Sequence, residues 1–143
     1  MKIGEVANET GLSISNIRFY EKKGLLAPSR KEESGYRNYT AEDVNRLKTI
    51  LLYRKMGLPI ETIYLVLQGT VSFKVALKRQ TQELVKQKEE IMASLELCQK
   101  ALKDTNCSQL NVDTYLEYIA EEEEKGKQFV EIKEIIDDFT EYT

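Results

Sequence analysis

From Ser72 to Asp104 the chain contains neither proline nor glycine, and apolar side chains return at alternating steps of four and three: Leu77, Leu84, Ile91, Leu95, Cys98 and Leu102. Two seam positions, Thr81 and Lys88, are polar. A helix through these residues would be about 50 Å long at 1.5 Å per residue. So narrow a stripe on so long a helix is buried by a second helix rather than by a globular core. The spacing therefore predicts dimerisation through a helix over 71–105. The alternative, packing of the long helix back on its own chain, has only four short helical segments before it to draw on. This feature divides the chain into a head, 1–70, a dimerisation helix, 71–105, and a C-terminal region, 106–143.

The head is a set of short segments with clear stops. Ile3, Val6 and Ala7 stand at helical spacing before Gly11, a residue suited to the left-handed turn after a helix. Ser13 offers an N-cap oxygen to a second helix, in which Ile14 and Ile17 point inward with Phe19 or Tyr20, Phe19 being assigned to the core. Two short helices joined by a tight glycine turn form a helix-turn-helix candidate. Pro28 then forbids helix, and Glu33-Ser34-Gly35 supplies the turn of a small β-hairpin. Thr40 to Asp43 reads as a capping sequence for a third helix with Val44, Leu47, Ile50, Leu51 and Met56 on its apolar face, ending at Gly57. Pro59 fits the first turn of a fourth helix carrying Ile60, Ile63, Val66 and Leu67. The fold class is mainly α.

The formal charge of -3 is unevenly spread. Residues 1–58 hold 11 Lys/Arg against 7 Asp/Glu, whereas residues 111–143 hold 3 against 11. A cationic head and an acidic tail imply different partners for the two ends. The tail carries two amphipathic pieces, Val112, Tyr115, Leu116 and Ile119, then Phe129, Ile132, Ile135, Ile136 and Phe139, both at helical spacing. Neither is long enough to be stable alone, so each must dock.

Histidine is absent, which removes Ser-His and Cys-His nucleophile pairs and every His-ligated metal. No phosphate-binding glycine loop is present either, so the chain does not read as an enzyme and no cofactor is expected. Cys98 and Cys107 are too few for a disulfide framework or a four-thiolate cluster. As a thiolate pair they could hold a soft metal, though Cys98 on the stripe is most simply a small buried hydrophobe. No apolar run approaches the roughly eighteen residues of a membrane span, and MKIGEVANET lacks the features of a signal peptide. A cytoplasmic location follows as the expectation.

The run Ile17 to Tyr39, IRFYEKKGLLAPSRKEESGYRNY, with IGEVANETGLS before it and the T-x-E-D-V-x-R-L helix after it, closely resembles the DNA-binding domain of the MerR family of bacterial transcription regulators. The resemblance covers residues 2 to about 70, and the element order extends it to about 105. It implies a winged helix-turn-helix head, an antiparallel coiled-coil homodimer and a dyad-symmetric promoter site. Carried over by position, it marks Arg18 and Tyr20 on the second helix, Tyr36, Arg37 and Tyr39 in the wing, and Arg54 near the end of the third helix as DNA contacts. Ser15 and Asn16, exposed at the helix start, could read base edges or adjacent phosphates. For Tyr20 and Tyr39 two readings stay open, packing with a hydroxyl contact or packing alone. The resemblance further implies promoter bending that realigns the site for RNA polymerase, under control of an effector. Tyr115, Tyr118 and Phe129 are the candidate residues for a cationic, aromatic small molecule. The other readings are a coiled-coil adaptor whose acidic tail binds a basic partner, and a thiol-based metal sensor using Cys98 and Cys107.

Overall fold

The computed structural model describes residues 1–27, 30–31 and 37–132. The chain divides into two units, Met1–Gln80 and Thr81–Thr143. The first holds α1 (Ile3–Thr10), α2 (Ile14–Lys22), β1 (Arg30–Lys31), β2 (Arg37–Asn38), α3 (Ala41–Lys55) and α4 (Ile60–Leu67). A long helix, α5, runs from Phe73 to Lys103 and begins in this unit; α6 (Val112–Glu124) follows in the second. The fold is mainly helical, as the sequence pattern predicts.

Local chemistry sets the boundaries in the head. Gly11 takes φ +77° and donates its N–H to the Ala7 carbonyl, closing α1. The Ser13 hydroxyl accepts the Asn16 N–H at 3.0 Å and opens α2 two residues later. Thr40 and Asp43 form a reciprocal capping box at the start of α3, satisfying two backbone donors that the first turn would otherwise leave unpaired. Glu42 and Asp43 at that end, with Arg54 and Lys55 at the other, complement the helix dipole. Pro59 serves as the cap of α4 rather than inside its first turn.

These helices bury one apolar core. Val6 of α1, Ile17 and Tyr20 of α2, Leu25 and Leu26 after it, Leu47 and Ile50 of α3, and Ile63 of α4 all belong to it. The start of α5 is tied to the end of α3: Tyr53 and Phe73 stack at 4.7 Å, and Gln80 donates to the Met56 carbonyl at 3.0 Å. The expectation for α2 needs correction. Ile17 and Tyr20 point inward, but Ile14 and Phe19 are exposed. Phe19 lies two residues from Ile17, about 200° around the helix and so on the far side; Ile14 sits on the first turn, at the edge of the buried face.

β1 and β2 pair antiparallel, Arg30 with Asn38 and Lys31 with Arg37. The turn expected at Glu33-Ser34-Gly35 lies outside the described residues, as do Pro28 and Tyr36. The Tyr39 N–H donates to the Met1 carbonyl at 2.7 Å, joining the segment after β2 to the chain before α1.

In the second unit, α6 and the segment after it lie along one face of α5. The Tyr115 hydroxyl donates to Asp104 at 3.1 Å, the Val130 N–H to Ser94 Oγ at 3.0 Å, and Lys127 pairs with Glu96 at 3.0 Å. Glu90 and Ala93 are buried on this face, and Leu97 and Ala101 half-buried. The second amphipathic piece of the tail does not begin as a helix. Gly126 takes φ +97°, and residues 127–132, including Phe129 and Ile132, run without helical pairing. Ile135, Ile136 and Phe139 lie outside the described residues. The long helix thus does pack on its own chain, and of its stripe Leu77 is half-buried while Leu84, Ile91, Leu95, Cys98 and Leu102 are exposed.

Leu47 is fully buried, so Leu47→Ala is expected to destabilise the head by about 2–5 kcal/mol through lost burial and the cavity left behind. Denaturant unfolding followed by circular dichroism measures this.

Candidate nucleic-acid interface

Burial of Ile17 and Tyr20 decides what α2 turns outward. Its exposed side carries Ser15, Arg18, Phe19 and Lys22, residues spaced three and four apart, with Asn16 beside them in the first turn. The Ser13 cap consumes the Asn16 N–H while leaving both first-turn side chains exposed. The Phe19 ring lies 5.9 Å from the Tyr20 ring and tilted 58° to it, and the Lys23 ammonium lies 5.7 Å from its centroid. This side of α2 combines hydroxyl, amide and guanidinium donors with one aromatic ring.

Of the two tyrosines left open by the sequence, both are core residues: Tyr20 is 6% exposed and Tyr39 2%. The Tyr39 hydroxyl donates to Glu21 Oε1 of α2 at 2.6 Å, a charge-assisted bond that fixes the residue after β2 against that helix. Arg46 of α3 donates from Nε to the Leu25 carbonyl at 3.0 Å, pinning the chain as it leaves α2. Arg54 is exposed and gives one guanidinium N–H to the Leu58 carbonyl at 3.1 Å. With five donors on that group, the bond leaves capacity for a phosphate. Arg37 contributes its backbone to the β1–β2 pair; its side chain lies outside what is described, as does all of Tyr36.

The structure therefore leaves Ser15, Asn16 and Arg18 exposed on one helix, with Ser15 and Arg18 on one side of it, and buries Tyr20 and Tyr39 in the core. Sequence reasoning missed Glu21 and Arg46, which hold α2 and its exit in place. Glu21 stands inside the R-F-Y-E run, but nothing in its spacing points to a partner eighteen residues away.

In the second unit, Tyr115 and Tyr118 are brought together by Lys100, whose ammonium lies 5.9 Å and 4.9 Å from the two ring centroids. Phe129 stands half-buried in the segment after α6. A shallow, open groove of about 540 Å³ is lined by Glu96, Gln99, Lys100, Lys103, Asp104 and Tyr115. Desolvation raises the Tyr115 hydroxyl above its usual pKa, assisted by its bond to Asp104 and the charges of Asp104 and Cys107. The bond to Glu96 raises Lys127, and the charges of Glu131 and Glu90 raise Lys86. Cys98 and Cys107 are free and exposed, and among the described residues no cluster of three or more His, Cys, Asp or Glu side chains could hold a metal. No helix of the described residues is long and apolar enough to cross a membrane.

Residues 1–70 match the sequence pattern of the MerR HTH family regulatory proteins. This chain belongs to the MerR family. It is 44% identical over 61 residues to the HTH-type transcriptional regulator CueR of Salmonella typhi, a match covering 43% of this chain and 44% of CueR. The match thus spans under half of that relative's length. Among solved structures, the N-terminal part of MtaN, the Bacillus subtilis multidrug transporter activator, superposes with a TM-score of 0.65 at 29% identity, covering 73% of this chain and 99% of MtaN. HiNmlR, a MerR family regulator lacking the sensor domain and solved bound to promoter DNA, has a TM-score of 0.50 at 25% identity, covering 71% of this chain and 83% of that one.

Within this MerR-type head, Tyr39→Phe removes a single hydroxyl and the bond it gives to the Glu21 carboxylate. We expect a loss of about 1–2 kcal/mol in unfolding free energy with the fold retained, read by denaturant titration.

Proposed function

We propose that this chain is a transcription regulator that binds a dyad-symmetric promoter site as a homodimer through α2 and the β1–β2 hairpin. The observation that carries this reading is the outward side of α2, where a capped helix presents Ser15, Arg18 and Lys22, with Asn16 exposed in the first turn. Asn suits adenine, and Arg suits guanine or a phosphate oxygen. Charge agrees: residues 1–80 hold 14 Lys/Arg against 8 Asp/Glu. The promoter-bound state of HiNmlR supports the same role for the segment the two chains share.

The homodimer reading is supported by the open stripe on α5, where Ile91 is 61% and Leu102 74% exposed. A second copy of the chain would bury these side chains, and two heads would then meet two half-sites. Bending a site of 20–30 base pairs costs on the order of 1–6 kcal/mol, within reach of two such heads, so the promoter geometry that RNA polymerase meets could be altered on binding. For the effector, Tyr115 and Tyr118 support a cationic compound in that they already hold an ammonium between them.

The test is selection of a binding site from random-sequence duplexes by the full chain, followed by gel-shift titration. One dyad-symmetric sequence is expected to be enriched; enrichment of none would defeat the reading. Making roughly six to ten phosphate contacts, the protein is expected to lose about 10³- to 10⁵-fold in affinity between 50 and 200 mM salt. Arg18→Ala is expected to weaken the selected site by about ten-fold or more without altering thermal unfolding. Ile91→Asp places a charge on the stripe and is expected to yield a monomer in analytical ultracentrifugation, its head still folded.

A further inference from the structure

The outward side of α2 carries one residue that phosphate contact does not explain. Phe19 is 42% exposed in the middle of a nine-residue helix, between Arg18 and Lys22 on the same side. An aromatic ring offers no hydrogen bond to a phosphate or to a base-edge donor or acceptor. Three neighbours nevertheless give it a defined setting. The buried Tyr20 ring lies 5.9 Å away, tilted 58° to it, the Lys23 ammonium stands over it at 5.7 Å from its centroid, and Ser15 lies one helical turn before it. The ring thus stands exposed on the outward side of α2 among cations, where a bound duplex could meet the cations through its phosphates and the ring through its groove.

The major groove presents one apolar group that distinguishes a base, the 5-methyl of thymine, and Phe is among the side chains suited to it. We propose that Phe19 is a specificity-determining residue that reads a thymine methyl in the bound site. The assignment rests on the DNA-binding reading above. It makes α2 a mixed reader, with Asn16 and Arg18 donating hydrogen bonds and Phe19 supplying an apolar contact. It also accounts for an aromatic residue on the side of the helix away from the core.

The test uses the duplex enriched by the full chain from the random pool. Each thymine in turn is replaced by deoxyuridine, which removes the methyl and leaves every hydrogen-bonding group in place. For the wild-type protein we expect at least one thymine whose replacement weakens binding by about four-fold, the scale of one methyl group removed from water. Phe19→Ala is expected to bind the unmodified duplex about ten-fold more weakly and to be indifferent to replacement at that same thymine. The first arm needs no variant, and Phe19 lies outside the core, so the second does not depend on a packing residue. A wild-type protein insensitive to every methyl, or a Phe19→Ala protein that retains the full methyl sensitivity, overturns the assignment while leaving DNA binding intact. A pool from which no sequence is enriched overturns the DNA-binding reading and this inference with it.

Discussion

The burial of Ile17 and Tyr20 in the shared core is the constraint on which the head depends. A nine-residue helix has little stability of its own in water, so α2 exists because one side of it is absorbed by the core. The same packing fixes its rotation. With those two side chains inward, Ser15, Arg18, Phe19 and Lys22 have no choice but to face out, and the helix gains a defined recognition surface as a by-product of folding. Tyr39 and Arg46 then act from outside the helix. One bonds Glu21 and the other the Leu25 carbonyl, so α2 is held both along its length and at its exit.

In α5 the same principle works twice around one helix. Its covered side, with Ala93, Leu97 and Ala101, receives α6 and the segment after it. Its stripe, with Leu84, Ile91, Leu95 and Leu102, is left exposed. Small residues on the first side let a neighbouring segment approach closely, whereas the larger leucines and isoleucine of the second are suited to interlocking with another helix. The division explains why a heptad-like count from sequence found only one of the two: Ala, Ser and a buried Glu90 do not register as an apolar stripe.

How much could be read from sequence follows from the range of each interaction. Caps and stops at Gly11, Ser13, Thr40 and Gly57 were legible because each depends on residues within four positions. The core of α3 was legible because Val44, Leu47 and Ile50 repeat at helical spacing. Phe19 was misplaced because a short helix offers too few turns for periodicity to tell Tyr20 from its neighbour, and both are aromatic. Glu21–Tyr39 and Arg46–Leu25 were invisible because they join residues eighteen and twenty-one positions apart through single hydrogen bonds. The tail after Gly126 has helical periodicity, yet residues 127–132 are not helical, since the Val130 N–H bonds Ser94 of α5 instead of a helical carbonyl.

The two units therefore rest on different physics. The head is held by fully buried aliphatic side chains, an interaction that moderate salt hardly changes. The segment after α6 is held in part by charge pairs, Lys127 with Glu96 and Glu122 and Lys86 with Glu131, beside the Val130 bond to Ser94. Pairs of this kind contribute little each and weaken as ionic strength rises. Residues 81–143 hold 7 Lys against 16 Asp/Glu, so pairing cannot neutralise the unit, and the surplus carboxylates repel one another. Lys100, lying over two tyrosine rings rather than against a carboxylate, is accordingly a cation that the unit holds by ring electrostatics. An attachment made of such contacts opens at a lower free energy than the core of the head, because few apolar groups must be exposed to release it.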